Sequence, residues 1–230
     1  MIQPIVHSTA PVTLVGAGDA TAEDLQKSLK LAPLCVAADG GADLVLSENQ
    51  ALEALIGDFD SVPQALLSRI PRARQHRVEE QTSTDFEKAL LRIDAPLVVG
   101  IGFLGGRVDH QLAVFHSLTA FPHRPCLLLG QHEVICLAPP RVSLPLEEGD
   151  VVSLFPLGAV RGRSQGLQWP IDDIHFSPAS RIGTSNRAMG PAMIEMAGPE
   201  MLLILPRHLM PALVAQLLAP EAARWPARAG

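Results

Sequence analysis

The chain has 230 residues, 47% hydrophobic and 18% charged, with a formal net charge of −6. That length and hydrophobicity fit a folded globule of one large or two modest domains and exclude a disordered segment, while the acidic balance argues against a broad nucleic-acid or anionic-membrane surface. Cys35, Cys126 and Cys136 are too scattered for a disulfide framework and point to the cytoplasm, and the opening residues lack a basic n-region, so neither a signal peptide nor a membrane span is expected.

In chain order, Val12 to Val15 reads as a first buried strand that runs into Gly16-Ala17-Gly18. Thr21 and Asp24 then form a capping box for a helix through about Leu31. The glycine pair lacks the third glycine of a dinucleotide fingerprint and carries little weight. A second strand, Leu34 to Ala38, ends at Asp39-Gly40-Gly41-Ala42-Asp43. Glycines there permit positive φ and close approach of a ligand, and a following helix aims free amides at an anion. Turn-making glycines with Asp39 as a helix cap account for the same residues equally well.

The third strand, ending in Leu55 and Ile56, stops at two carboxylates, Asp58 and Asp60. An extended backbone would send both to one side, with Cα atoms roughly 7 Å apart, into the crevice where open α/β sheets bind ligands. Paired oxygens there suit Mg²⁺ shared with substrate phosphates. An isolated D-x-D is more simply a solvated acidic turn; further glycine-and-acid clusters at other strand ends are what favour the metal reading.

Pro63 opens the next helix. After an Arg-rich loop with Arg72, Arg74 and Arg77, Thr84 and Glu87 cap a helix whose first turn holds Asp85. The helix dipole alone accounts for an acid there; topology adds that this N-terminus should share a sheet edge with Asp58 and Asp60. Leu97 to Ile101 is a fourth strand, followed by Gly105-Gly106 as an anion cradle and Arg107 as a fork of donors matched to phosphate. His110 reads as structural rather than as a base, because transfer between phosphate oxygens need not use one.

Four strands alternating with helices predict an α/β fold with a doubly wound parallel sheet. Ala138-Pro139-Pro140-Arg141 marks a boundary. Beyond it, short runs at Val142 to Leu146, Asp150 to Pro156, Gly166 to Trp169, His175 to Ser177, Met193 to Met196 and Met201 to Leu205 suit an antiparallel sandwich. The indole of Trp169 suits either stacking on a cationic or aromatic ligand or burial in that core. Gly183-Thr184-Ser185-Asn186 reads as a polar turn, and His208 to about Leu218 as a closing helix.

Five segments in order, Ala38-Asp39-Gly40-Gly41-Ala42, Ile56-Gly57-Asp58-Phe59-Asp60-Ser61, Ser83-Thr84-Asp85-Phe86-Glu87-Lys88-Ala89-Leu90, Gly105-Gly106-Arg107-Val108-Asp109-His110 and Thr184-Ser185-Asn186, resemble the thiamine pyrophosphokinase (thiamine diphosphokinase) family. The resemblance implies a Rossmann-like ATP- and Mg²⁺-binding catalytic domain over 1–138 and a β-sandwich thiamine-binding and dimerisation domain over 139–230. It further implies a homodimer with active sites between subunits; the cysteine and charge readings add a cytoplasmic protein with no nucleic-acid or membrane partner. The implied reaction moves the β,γ-diphosphate of ATP to the hydroxyl of thiamine, giving thiamine diphosphate and AMP.

By the same resemblance Asp58, Asp60 and Asp85 are the metal and catalytic carboxylates, and Asp39, Gly105, Gly106, Arg107 and Asp109 contact ATP. Ser185 and Asn186, with Trp169 from the neighbouring subunit, contact thiamine. Two positions depart from the family. Thr82 follows Gln81 where the family usually has Asp, which removes one carboxylate, and Arg187 stands where Glu often follows the Thr-Ser-Asn segment. The competing readings are a Mg²⁺-dependent phosphotransferase or nucleotidyltransferase on another small alcohol, and a non-catalytic thiamine- or nucleotide-binding regulator.

Overall fold

A computed structural model describes residues 2–228. They divide into two compact units, one running to Ser117 and including Leu128–Gly130, the other made of Leu118–Leu127 and the chain from Gln131 onward.

The first unit contains, in order, β1 (Val6–His7), β2 (Val12–Val15), α1 (Ala22–Leu31), β3 (Leu34–Ala38), α2 (Ala42–Ser47), β4 (Ala54–Gly57), α3 (Gln64–Leu67), β5 (Gln75–Arg77), α4 (Asp85–Leu90), β6 (Ile93–Asp94) and β7 (Val98–Ile101). Helix α5 (Val108–Ala120) follows. Strands β3, β4 and β5 pair in parallel, as do β2 with β7 and β1 with β6. Every residue of β2, β4 and β7 is buried, the pattern of parallel strands covered on both faces. The capping box forms as the spacing predicts: the Thr21 side chain accepts from the Asp24 amide, and Asp24 accepts from the Thr21 amide. The buried hydroxyl of Thr13 ties β2 to α1, donating to the Ala32 carbonyl at 2.6 Å and meeting Ser28 Oγ at 2.8 Å.

Two glycines show how close the backbones approach. A Cβ at Gly41 would lie 2.1 Å from the Val15 carbonyl oxygen, and one at Gly16 would lie 2.6 Å from the Gly102 carbonyl oxygen. Gly16 therefore serves packing between strand ends, a sufficient reason for the incomplete glycine fingerprint. The Arg-rich segment, read as loop, forms a 3₁₀ turn at Arg72–Arg74 and then β5.

Strand β8 (Cys126–Leu129) spans the division of the chain. The second unit continues with β9 (Glu133–Leu137), β10 (Arg141–Leu144), β11 (Val151–Pro156), β12 (Gly162–Leu167), β13 (Gly183–Met196), β14 (Met201–Pro206) and α6 (Met210–Leu218). Its pairings are antiparallel: β9 with β14, β14 with β11, and β11 with β13. The 14-residue β13 pairs with β11 through its first half and with β10 and β12 through its second, β12 also reaching Ala188 past its bulge. Gly190, at φ +127°, stands between the halves. Burial alternates strictly along β11, as expected where one face of a strand meets a core.

Two local expectations need correction. The segment Gly183 to Asn186 is no turn but the start of the longest strand, because the backbone of Asn186 pairs with Val152 and that of Arg187 with Val151. The strand expected to reach Trp169 ends at Leu167, after a bulge at Gly166 whose φ is +79°. Among the described residues no helix is long and apolar enough to cross a membrane.

Candidate active site

The carboxyl ends of β2, β3, β4 and β7 and the first turn of α4 line a cleft of about 760 Å³. Asp39 follows β3, Asp58 and Asp60 follow β4, and Asp85 opens α4; all four face this cleft, as do Gly105, Gly106 and Arg107. One carboxylate oxygen from each of Asp39, Asp58 and Asp60 lies within 4.8 Å of the others.

The expectation that an extended backbone aligns Asp58 and Asp60 is wrong in its reason. Strand β4 stops at Gly57, and Phe59 between the two acids sits at φ +68°, a left-handed conformation unusual for a bulky side chain. What brings the acids together is a hydrogen-bonded loop. The Asp60 amide donates to Asp58 Oδ1 at 3.2 Å, and the Phe59 amide donates to Asp39 Oδ1 at 3.0 Å. The Ser61 hydroxyl donates to the other oxygen of Asp39. Asp39 is itself buried, at φ +45°. Its carboxylate is thus the staple that folds the following acid loop, and helix α2 has no side-chain cap from it.

Sequence reasoning missed Lys88. Its buried ammonium donates to Asp58 Oδ2 at 2.8 Å and to Asp85 Oδ1 at 3.3 Å, joining the β4 acids to helix α4. The signal was present, since Lys88 follows Asp85 at the i,i+3 spacing that puts both on one helix face. The hydrogen bond from Lys88 holds the Asp58 carboxyl down at about 2, against the opposing pull of burial. Asp85 shifts the other way: burial raises it, and the charges of Asp39 and Asp58 add to that while Lys88 opposes it. Burial works to lower Lys88 itself, but its bonds and charges with Asp58 and Asp85 outweigh that and raise it.

The glycine loop is built for close approach. Gly105 and Gly106 have φ of +79° and +64°, and a Cβ at Gly105 would lie 2.5 Å from the Asp19 carboxylate. Arg107 and Asp109 form an exposed bidentate pair, Nη2 to Oδ2 at 2.6 Å and Nε to Oδ1 at 3.1 Å. Asp109 does not line the cleft; it occupies the guanidinium fork instead, and the hydrogen bond from Arg107 keeps its carboxyl near 2. Thr82 is exposed, and its hydroxyl donates to Glu80 rather than facing the acids.

Hard oxygen donors without nitrogen or sulfur are the set that Mg²⁺ selects. Two ligands of one Mg²⁺ sit at most about 4.2 Å apart, twice the Mg–O bond, so the three acids need only small side-chain adjustments to share an ion. The residues present fit the group.

In the second unit Trp169, Ser185 and Asn186 gather at the start of β13. The indole of Trp169 is exposed, not part of the core. Ser185, at φ +63°, receives the Ser153 hydroxyl oxygen as acceptor for its amide at 2.9 Å. Asn186 is buried and bonds to the backbone of Trp169. Arg187 donates from Nη1 to the Gly149 carbonyl at 3.0 Å, bracing the turn before β11.

A family model described as "Thiamin pyrophosphokinase, catalytic domain" matches residues 25–128, and one described as "Thiamin pyrophosphokinase, vitamin B1 binding domain" matches residues 141–198. Among curated proteins the chain is similar to thiamine pyrophosphokinase 3 of Oryza sativa, 28% identical over 185 residues that cover 66% of this chain and 69% of the relative. It is also similar to thiamine pyrophosphokinase 1 of Arabidopsis thaliana, 26% identical over 67% of this chain and 71% of the relative. Among solved structures the fold matches thiamin pyrophosphokinase from Candida albicans with a TM-score of 0.73 at 15% identity, covering 90% of this chain and 95% of that one. The enzyme from Geobacillus thermodenitrificans matches with a TM-score of 0.70 at 21% identity, covering 85% and 96%.

Proposed function

This chain belongs to the thiamin pyrophosphokinase family, and on that premise we propose that it transfers the β,γ-diphosphate of ATP to the hydroxyl of thiamine, releasing AMP, at the acidic cleft of its first unit. The observation that carries the reading is the convergence of Asp39, Asp58 and Asp60 within 4.8 Å beside a glycine-lined cleft. Acids from separate loops, backed by a buried lysine, are an arrangement that phosphoryl-type transfer uses and a solvated turn does not need.

Asp58 and Asp60 hold Mg²⁺ in this reading, with Asp85 and the adjacent Asp39 completing the acidic wall. The ion would offset charge on the transferred diphosphate and on the departing AMP. The residues themselves do the positioning. Backbone amides around Gly105 and Gly106 cradle phosphate oxygens, and Arg107 turns its fork from Asp109 to the nucleotide. Lys88 keeps Asp58 ionised and ties it to Asp85, so the acids are oriented before substrate arrives. Phe103 and Phe86, in edge contact at 4.8 Å between centroids, wall the cleft with apolar surface.

The parallel strands of the first unit support a Rossmann-like doubly wound reading, and the sharing of β13 between strand groups supports a β-sandwich for the second. In this proposal residues 1–138 bind ATP and Mg²⁺, and 139–230 bind thiamine and form a homodimer, with Trp169 reaching the thiamine held at the neighbouring subunit's site. A cytoplasmic enzyme without nucleic-acid partners fits the net charge of −6. Incubation with ATP, Mg²⁺ and thiamine should yield AMP and thiamine diphosphate. Formation of ADP would identify an ordinary phosphotransferase, and thermal stabilisation by thiamine with no nucleotide turnover would identify a binding regulator.

A further inference from the structure

We propose that Asn186 is a positioning residue that never needs to touch the substrate: its side chain stands in for a missing stretch of backbone and holds Trp169 as a preformed stacking platform. The inference rests on the reading of Trp169 as a thiamine contact.

After the bulge at Gly166, the β12–β13 ladder continues only through Leu167 opposite Ala188 and the Gln168 amide donating to the Arg187 carbonyl at 2.8 Å. At the next position the two main chains no longer pair directly. The Asn186 carboxamide fills the gap. Its Oδ1 accepts from the Trp169 amide at 3.2 Å and from the Arg187 amide at 2.8 Å, and its Nδ2 donates to the Trp169 carbonyl at 2.6 Å. A carboxamide carries one acceptor oxygen with two lone pairs and two N–H donors. Three of those four valences are therefore committed to main chain. Asn186 is 7% exposed while the Trp169 it clamps is 56% exposed. A buried amide holding both polar groups of one residue fixes that residue's backbone, so on stacking against a flat cationic ring the indole gives up only its own side-chain torsions.

The test uses full-length protein carrying Trp225→Phe, which leaves Trp169 as the sole indole of the two in the chain. Asn186→Ala and the isosteric Asn186→Asp are compared with Trp169→Ala by steady-state kinetics and, for the first two, by indole fluorescence anisotropy of the free protein. Asn186→Asp keeps the acceptor but sets a carboxylate oxygen against the Trp169 carbonyl.

Both Asn186 variants should lower the anisotropy and raise KM for thiamine about tenfold, the effect of losing one or two hydrogen bonds. KM for ATP should hold, and kcat should change less than about threefold, because the reacting atoms are untouched. Direct contact predicts the reverse for Asn186→Asp, since a carboxylate against a cationic substrate would preserve or lower KM. That result, or unchanged anisotropy in both variants, overturns the clamp. If Trp169→Ala leaves KM for thiamine unchanged while the anisotropy still responds to Asn186, the clamp exists but the stacking assignment is what fails.

Discussion

Replacing Lys88 by Met removes the cation that bridges Asp58 and Asp85. The Lys88 side chain is 3% exposed and the Asp58 side chain 12% exposed, so breaking their 2.8 Å pair leaves a nearly buried carboxylate without its counter-ion. Breaking a buried pair in this way costs about 3 kcal/mol, the low end of the usual range. The second bond, to Asp85 at 3.3 Å, involves a side chain 44% exposed, and solvent screening reduces it to roughly 0.5 kcal/mol. For a chain of this length each kcal/mol moves Tm by about 2–4 °C, so Lys88→Met should lower Tm by roughly 7–14 °C in EDTA. Millimolar Mg²⁺ should restore at least half of that, because a bound divalent ion supplies the missing positive charge and stabilises only the folded state. Differential scanning fluorimetry with and without Mg²⁺ measures both. A drop below about 2 °C, the shift expected of a surface pair, or a drop that Mg²⁺ leaves unaltered, would refute the account of Lys88 as the resident counter-ion of the acids.

Asp58→Asn and Asp85→Asn should each reduce kcat by about 10²–10³-fold or more in the AMP-release assay, the loss expected when charge stabilisation of a transition state is removed. Their stabilities should diverge. Folding favours the charged form of Asp58 and disfavours that of Asp85, so thermal unfolding in EDTA should show Asp58→Asn destabilised and Asp85→Asn at or above wild type. The same shifts set a pH dependence. Asp58 is depressed from 3.8 to about 2; its contribution is whole above pH 4 and fades as pH falls through about 2, and acid titration of Lys88→Met should lack that component. In the glycine loop, Gly106→Ala meets open space and bears only the left-handed backbone penalty, about 1 kcal/mol. Gly105→Ala adds a 2.5 Å approach to the Asp19 carboxylate, so urea unfolding and KM for ATP should both suffer more at 105 than at 106.

The alternation of apolar runs with capped helices made the first unit legible because its strands are buried on both faces and its caps are local. Val12–Val15, Thr21 with Asp24, and Thr84 with Glu87 each declare themselves within a few residues. The acids at strand ends were legible for the same reason. Hidden were the features that depend on partners distant in sequence. Phe59 takes a left-handed backbone because a carboxylate twenty residues earlier receives its amide, and no pattern around residue 59 announces that. Lys88 reaches Asp58 across thirty residues. Ser185 and Asn186 look like a turn because small polar residues usually make turns, yet pairing of Gly183 and Asn186 with β11 draws the segment into a strand, with Ser185 left-handed at the bulge between them. Arg107 advertised a phosphate fork, and only the structure revealed that Asp109 holds that fork two residues away.

The stapling of the acid loop by Asp39 carries a practical corollary for anyone dissecting this enzyme. Phe59 is kept in its unfavourable backbone state by the bond its amide donates to Asp39, so the loop behaves as a cocked latch whose catch is a single carboxylate. Removing the catch with Asp39→Ala should let Asp58 and Asp60 drift apart and weaken the proposed Mg²⁺ binding as much as deleting a ligand would. Asp39→Asn retains an acceptor for Phe59 but carries no charge, so a comparison of the two substitutions sorts mechanical support from ion binding at one and the same position.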